Sequence, residues 1–318
     1  MVKNSGGQMD AILIAGPTAS GKSALALDLA DRIGGVIVNA DSMQVYSALH
    51  LLTARPSQAD TDQVEHRLYG HRPADQTYST GEWMREAAEV IADVQSRGQV
   101  PIIVGGTGLY FEALLGGLAT MPDIPEPVRT ARRAELQANG PAAMHGELAR
   151  KDPETAARLS PNDGQRIARA LEVLDATGKS ISVLQAARGE PVLEAANTRR
   201  ILLMPERDVL TGRIDRRFRQ MVEGGALDEV RRLLDLHLDP SMPAMKAIGV
   251  PELAAHLNGD LDLENAVDQG AAATRRYAKR QMTWFRNRFS EDWHRISSPT
   301  LSNVDLQLIL RQPTAGSL

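Results

Sequence analysis

The 318-residue sequence predicts an α/β protein: a P-loop-type parallel sheet core flanked by helices, with an all-helical insertion domain. Three observations predict this fold. Short, continuously apolar runs alternate with stretches of helical spacing, the pattern of strands covered on both faces of a parallel sheet. The first run opens into a glycine-rich loop, GPTASGKS at 16–23, just before a helical stretch. Between about residues 122 and 199 the apolar runs stop, and helical patterns broken by Pro125, Pro127, Pro141, Pro153 and Pro161 take over.

In chain order, Ala11–Ala15 (AILIA) is the first buried strand and Ser23–Ile33, rich in leucine and alanine, the helix after the loop. Val36–Ala40 (VIVNA) is the second strand. Trp83–Arg97 is helical and stops at Gly98, Val100–Val104 (VPIIV) is the third strand, and Ile201–Met204 (ILLM) the fourth. Helices follow over Asp208–Leu238, Met245–Leu257 and Leu263–Phe289. The expected organisation is therefore a catalytic core of 9–121 and 200–298, an insertion of 122–199, and a polar, flexible tail of 299–318.

Composition narrows the function classes. The chain is 42% hydrophobic, enough for a sizeable core, and its 24% charged content is ordinary for a water-soluble chain. Having no cysteine, it has no disulfides, thiolate metal sites or cysteine nucleophile, which suits a reducing cytosol. No apolar run is long enough to span a bilayer and the start, MVKNSGGQMD, lacks an apolar signal core, so a cytoplasmic location without membrane contact is expected. The net charge of −4 gives no overall attraction for nucleic acid, so any RNA contact requires a local basic face.

Gly16, Gly21, Lys22 and Ser23 fit G-x-x-x-x-G-K-[ST], the signature of nucleotide-binding and ATP-binding proteins, with Pro17, Thr18, Ala19 and Ser20 filling the loop. Glycines let successive N–H groups turn inward, and the helix N-terminus adds partial positive charge. Lys22 neutralises phosphate charge, and the Ser23 hydroxyl suits a magnesium shell, since Mg²⁺ takes few protein ligands beside phosphate oxygens and water. Hydrolysing motors and switches carry an aspartate after a later strand to hold the metal. Here the third strand leads to GGTGLY at 105–110, with no carboxylate. Gly105, Gly106 and Gly108 suggest close backbone approach to a ligand, with Thr107 as a hydrogen-bond donor; an ordinary strand-to-helix turn is the plainer reading. Asp41 follows the second strand, at the sheet edge where ligands bind, placed to take a proton or help hold magnesium; alternatively, Asp41 or Ser42 caps a helix. The residues point to a transferase, and leave phosphoryl transfer and pyrophosphate displacement both open.

Three segments supply basic faces. In 275–288 (RRYAKRQMTWFRNR), Arg276, Lys279, Arg280 and Thr283 share one helical face and Tyr277, Gln281, Trp284 and Arg288 another, with core packing expected for Trp284 and Phe285. In PNDGQRIARALE (161–172), Asn162 or Asp163 caps a helix on which Gln165 and Arg169 share a face beside Arg166; a solvated surface helix is the plain alternative. In 213–221, Arg213 and Arg217 share a face able to grip pyrophosphate.

Taken together, GPTASGKS (16–23), NADSMQVY (39–46), PIIVGGTGLY (101–110), SPNDGQRIARALEV (160–173), RIDRRFRQM (213–221) and RRYAKRQMTWFRNR (275–288) resemble the tRNA dimethylallyltransferase (tRNA isopentenyltransferase) family from about Ala11 to Ile296. The resemblance implies transfer of a dimethylallyl group from dimethylallyl pyrophosphate to N6 of the adenine 3′ of the anticodon in tRNA, with magnesium assisting and pyrophosphate leaving. It implies that Gly16 to Ser23 hold the pyrophosphate and that Ser23 lies at the metal. Lys22, Asp41, Thr107 and Arg217 become the catalytic set, with Asp41 as the base and Arg217 clamping pyrophosphate. Contacts with tRNA fall to Asp41, Ser42, Met43 and Gln44, to Gln165, Arg166, Ile167, Ala168 and Arg169, and to Arg276, Lys279 and Arg280. The acceptor base must leave its stack, and a monomer is expected. The chain departs from the family's Gly-Thr-Ala-Lys-Pro segment at LLTARP (51–56), where a leucine stands for the glycine and Arg55 for the lysine, and from its Pro-His-His-Leu-type run at VEHRLYGHRP (64–73). The rival functions are a small-molecule kinase, an RNA-stimulated NTPase switch and an adenine-nucleotide prenyltransferase.

Overall fold

The computed structural model describes residues 9–187, 189–301 and 305–307, so most of the expected tail lies outside the described residues. Strand β1 (Ala11–Ala15) is wholly buried and leads through the loop into α1 (Lys22–Ile33). Helix α1 buries Leu25, Ala26, Leu29 and Ala30, the stripe that i, i+4 spacing places on one face, and stops at Gly34 with φ 65°. Strand β2 (Val36–Asn39) follows, then short α2 (Gln58–Gln63), two-residue β3 (His66–Arg67) and α3 (Thr80–Ser96). A capping box of Ser79 and Glu82 starts α3, and Trp83, Ala87, Val90, Ile91 and Val94 form its buried face. Next come β4 (Pro101–Gly105), α4 (Gly108–Gly116), α5 (Glu126–Lys151), α6 (Pro153–Arg158), α7 (Gly164–Thr177) and α8 (Ile181–Ala186). The chain then continues through β5 (Thr198–Leu203), α9 (Arg207–Met221), α10 (Leu227–Leu234), α11 (Val250–Leu257), α12 (Leu263–Arg288) and β6 (His294–Ile296).

The six strands form one parallel sheet in the order β3-β2-β4-β1-β5-β6. Period-two alternation divides the sheet between two cores. Leu13, Val36, Val38 and Ile103 face Trp83, Phe111 and Phe285, while Ile12, Ile14, Ile37 and Ile102 face Leu25 and Leu29 of α1. The edge strands β3 and β6 carry no apolar run, so the sequence shows no strand there. Strand β5 begins at Thr198, earlier than the expected Ile201, because Thr198, Arg199 and Arg200 pair in register with Ala11, Ile12 and Leu13 of β1.

The long helix expected over 208–238 is two helices. A wide turn, Val222–Ala226, with Gly225 at φ 104°, separates α9 from α10. The helix expected from Met245 starts at Val250, because Gly249 takes φ 98°. These breaks fold α10 and α11 around a third core containing Tyr46, Leu49, Val230, Leu233 and Leu253.

The chain divides into two compact units, residues 1–115 with 192–318, and residues 116–191. In the second unit, α5 bends at Gly140 (φ 75°) before Pro141, and Met144, Leu148, Ile167 and Leu171 form its core. The buried Arg132 guanidinium joins α5 to α7 through Asp175 (2.6 Å) and also pairs with Glu147 (2.9 Å). Among the described residues, no helix is long and apolar enough to cross a membrane.

Candidate active site

The phosphate loop is a strained turn. Ala19 takes φ 61° and Gly21 φ 99°, which turns consecutive N–H groups toward one side. Gly16 tolerates no side chain, since a Cβ would lie 2.7 Å from the Leu203 carbonyl oxygen and 2.9 Å from Ser20 Oγ. The loop is braced from two helices. Gln281 of α12, itself buried, accepts from the Thr18 N–H (2.9 Å) and donates to the Gly106 carbonyl (2.9 Å). Arg213 of α9 donates to the Ser20 carbonyl (2.9 Å). Arg213 therefore holds the loop, a correction to its expected grip on pyrophosphate beside Arg217. Lys22 donates to the Pro17 carbonyl at 3.2 Å, and Ser23 is exposed in the first turn of α1.

A cavity of about 310 Å³ opens beside this loop. Thr18 and Ala19 of the loop line it, together with Asp41, Ser42, Met43 and Arg217. The loop carrying Asp41 is tightly specified. Asn39, fully buried, accepts from the Asp41 N–H (2.8 Å) and donates to the carbonyls of Asp41 (2.9 Å) and Leu68 (3.0 Å). Asp41 Oδ1 accepts from the Met43 N–H at 2.9 Å, an Asx-type turn that leaves Oδ2 available. Thr107 does not line the cavity; its hydroxyl accepts from the Ser42 N–H (3.0 Å) and so braces the residue next to Asp41.

Burial dominates the electrostatics. It lowers Lys22 to about 8, Asp41 works against the shift, and Arg217 adds to it. The Arg217 guanidinium is likewise held below its usual value by burial, with Asp41 opposing. The phenols of Tyr69 and Tyr277 are pushed up by burial and further by Asp41, so both are neutral donors around a negative carboxylate. Lys22, Arg217 and Asp41 thus lie within electrostatic reach of one another. Ser23 offers one exposed hydroxyl beside the loop, the kind of single protein oxygen that suits magnesium, an ion that keeps most of its waters; no cluster of three or more His, Cys, Asp or Glu among the described residues offers a full protein cage.

Several expected roles change. Gly105, Gly106 and Gly108 are packed by protein and not by a ligand: a Cβ would meet Ala40 oxygen at 2.0 Å, Gln281 Nε2 at 2.2 Å and the Trp284 ring at 2.0 Å respectively. Gln44 turns its amide inward to the carbonyls of Thr53 (2.8 Å) and Ala54 (3.1 Å), so its side chain is engaged within the protein. Ile167 and Ala168 are buried in the core of the second unit, which removes their side chains from any RNA surface. On the same helix, capped by Asp163, Gln165 and Arg166 are exposed, while Arg169 is half-buried and pairs with Glu172 at 3.3 Å. On α12, Arg276, Lys279 and Arg280 are exposed, and Arg280 reaches the cavity over the Tyr277 ring. Phe285 is fully buried and Trp284 half-buried.

Sequence reasoning missed Lys246 and Leu52, which line the cavity, and Glu229 behind it. The Glu229 carboxylate, 3% exposed, accepts from three consecutive N–H groups: His50 (2.8 Å), Leu51 (2.7 Å) and Leu52 (3.0 Å). No motif announces this contact, which joins residues nearly 180 positions apart.

A phosphate loop after the central strand, facing a carboxylate at the end of the next, defines the class: an enzyme with a P-loop-type α/β core. The IPP transferase family model matches residues 44–288, and the chain belongs to that family. It is 56% identical to the tRNA dimethylallyltransferase of Rhizobium meliloti over 94% of this chain and 99% of the relative. Identity to that of Agrobacterium fabrum is 54%, over 93% and 99%. The crystal structure of the full-length tRNA isopentenylpyrophosphate transferase from Bacillus halodurans superposes with a TM-score of 0.65 at 34% identity, covering 94% of this chain and 93% of that one. A eukaryotic dimethylallyltransferase acting on tRNA superposes with a TM-score of 0.76 at 27% identity, covering 94% and 76%.

Proposed function

We propose that this protein transfers the dimethylallyl group of dimethylallyl pyrophosphate to N6 of the adenine 3′ of the anticodon in tRNA. The observation that carries the proposal, beside family membership, is that the phosphate-loop end, the Asp41 carboxylate and the Arg217 guanidinium open onto one cavity. Such a space suits a diphosphate at one end and a nucleophile next to the base. In the reaction the bond between C1 of the donor and its bridging oxygen breaks, and that oxygen leaves with the electron pair as pyrophosphate. The adenine N6 forms the new bond to C1, and its proton passes to Asp41. Lys22 and Arg217 offset the charge growing on the leaving group, which favours the transition state over the ground state. Thr107 and Asn39 hold the Asp41 loop in register. Ser23 would hold magnesium, which would supply further charge neutralisation at the leaving group.

The tRNA is met by exposed Gln165 and Arg166, with Arg169 beside them, and by Arg276, Lys279 and Arg280. Action as a cytoplasmic monomer is part of the proposal. The test mixes the protein, magnesium, radiolabelled dimethylallyl pyrophosphate and unmodified tRNA. Label in the RNA is expected, at the adenine 3′ of the anticodon. Cleavage of a nucleoside triphosphate with no label transferred would refute the reading.

A further inference from the structure

Beyond β6 the chain returns to the start of α1. Residues 299–301 and 305–307 belong to the stretch expected to be a flexible tail, yet three contacts tie them down. Leu301 and Leu306 pack on the core that contains Leu25 and Leu29 of α1. Asp305 pairs with His294 of β6 at 2.9 Å. Pro299 sits on Gly21 of the phosphate loop, where an added Cβ would lie 3.0 Å from both Pro299 Cβ and Pro299 Cγ.

Gly21 is the loop residue with the least to hold it. It takes φ 99° immediately before Lys22, a conformation that glycine permits but does not enforce. Such backbone persists where its surroundings over-determine it. Gln281 fixes the loop at Thr18 and Arg213 fixes it at Ser20, but no side-chain hydrogen bond caps α1 at Gly21. The proline ring takes that place. Its own φ is locked, and Leu301, two residues on, anchors it in the core, so it acts as a stiff stop. Pro299 does not line the cavity, and therefore meets the loop from outside it.

We propose that Pro299 is a positioning residue for the phosphate loop, holding Gly21, and with it the start of α1 at Lys22, in the pyrophosphate-binding arrangement before the donor arrives. Leu301 is its anchor. The proposal rests on the prenyl-transfer reading above, in which this loop takes the diphosphate.

The test titrates inorganic pyrophosphate, with magnesium present, into the native protein, Pro299→Gly, Pro299→Ala and Leu301→Ala. Preorganisation of a few groups is worth about two- to tenfold in affinity. Pro299→Gly and Leu301→Ala are therefore expected to weaken pyrophosphate by that factor, and Pro299→Ala, which keeps Cβ, by less. The KM for dimethylallyl pyrophosphate should rise with it while the KM for tRNA stays near native, and amide exchange over 19–23 should quicken in the unliganded variants. Met144→Ala, in the core of the second unit, controls for lost stability: it should lower the melting temperature and leave pyrophosphate affinity unchanged. Thermal melting establishes which variants fold, and Pro299→Gly decides the matter if Leu301→Ala does not. Native pyrophosphate affinity in folded Pro299→Gly overturns the brace, as does an equal loss in Met144→Ala. Tighter binding in Pro299→Gly also overturns it, because the segment would then obstruct the loop. All three leave prenyl transfer intact. A native protein that binds no pyrophosphate overturns both readings.

Discussion

Lys22 gives the sharpest handle on the site, because its burial makes two quantities move in opposite directions with pH. Its ammonium titrates near 8 in the folded chain against an ordinary 10.5, chiefly through desolvation, with Arg217 adding to the shift and Asp41 resisting it. At pH 9 the folded, unliganded protein is then about nine-tenths neutral at this lysine, whereas the unfolded chain is still charged. Between about pH 8 and 10.5 the unfolded state binds the extra proton, so the contribution of Lys22 to stability rises with pH across that window. Relative to the Lys22→Met variant, the native protein should therefore be least stable below pH 8 and gain on it up to about pH 10. Pyrophosphate binding should run the other way. A diphosphate favours the ammonium, so binding at pH 9 should take up close to one proton, and affinity should fall by up to about tenfold per pH unit above 8. Titration calorimetry of dimethylallyl pyrophosphate in buffers of different ionisation heat measures that uptake, and melting curves measure the stability gap. The variant should show no such uptake, which cancels the donor's own titration. Equal proton uptake by native protein and variant at pH 9 would refute the reasoning.

Other perturbations separate chemistry, scaffold and RNA contact. Asp41→Asn keeps Oδ1 for the Met43 N–H, and should lower single-turnover prenylation by about 100- to 10,000-fold with tRNA affinity little changed; a loss below about tenfold would remove Asp41 as the base. Glu229→Ala strands three backbone donors, and at about 1 kcal/mol or more each should cost roughly 3 kcal/mol or more of stability in urea unfolding; a loss under about 1 kcal/mol would show that the loop re-pairs without it. Arg166→Ala should lower the slope of log affinity for tRNA against log salt by about one, and Arg169→Ala by less because Glu172 already pairs with it. An unchanged slope for Arg166→Ala would take it out of the interface.

The sequence by itself determined whatever short-range chemistry can specify. Four central strands were legible because both faces of each are buried and the apolar runs are continuous. The phosphate loop was legible because backbone geometry there demands glycine at 16 and 21, and a phosphate-neutralising lysine follows at 22. Asp41 was legible because it follows a strand end by two residues. The edge strands β3 and β6 were not, since their pairing comes from neighbours and not from their own apolar content. Only the tertiary structure decided which polar groups face the cavity and which serve the frame. Arg213 and Arg217 lie four residues apart on one helix, yet one binds a loop carbonyl and the other faces Asp41. Gly105, Gly106 and Gly108 read as space left for a ligand, and are instead space taken by Ala40, Gln281 and Trp284. Glu229 reaching His50, Leu51 and Leu52 is of the same kind. The physical reason is that backbone conformation depends on a residue and its near neighbours, whereas the partner of a side chain depends on what distant segments bring within about 3 Å.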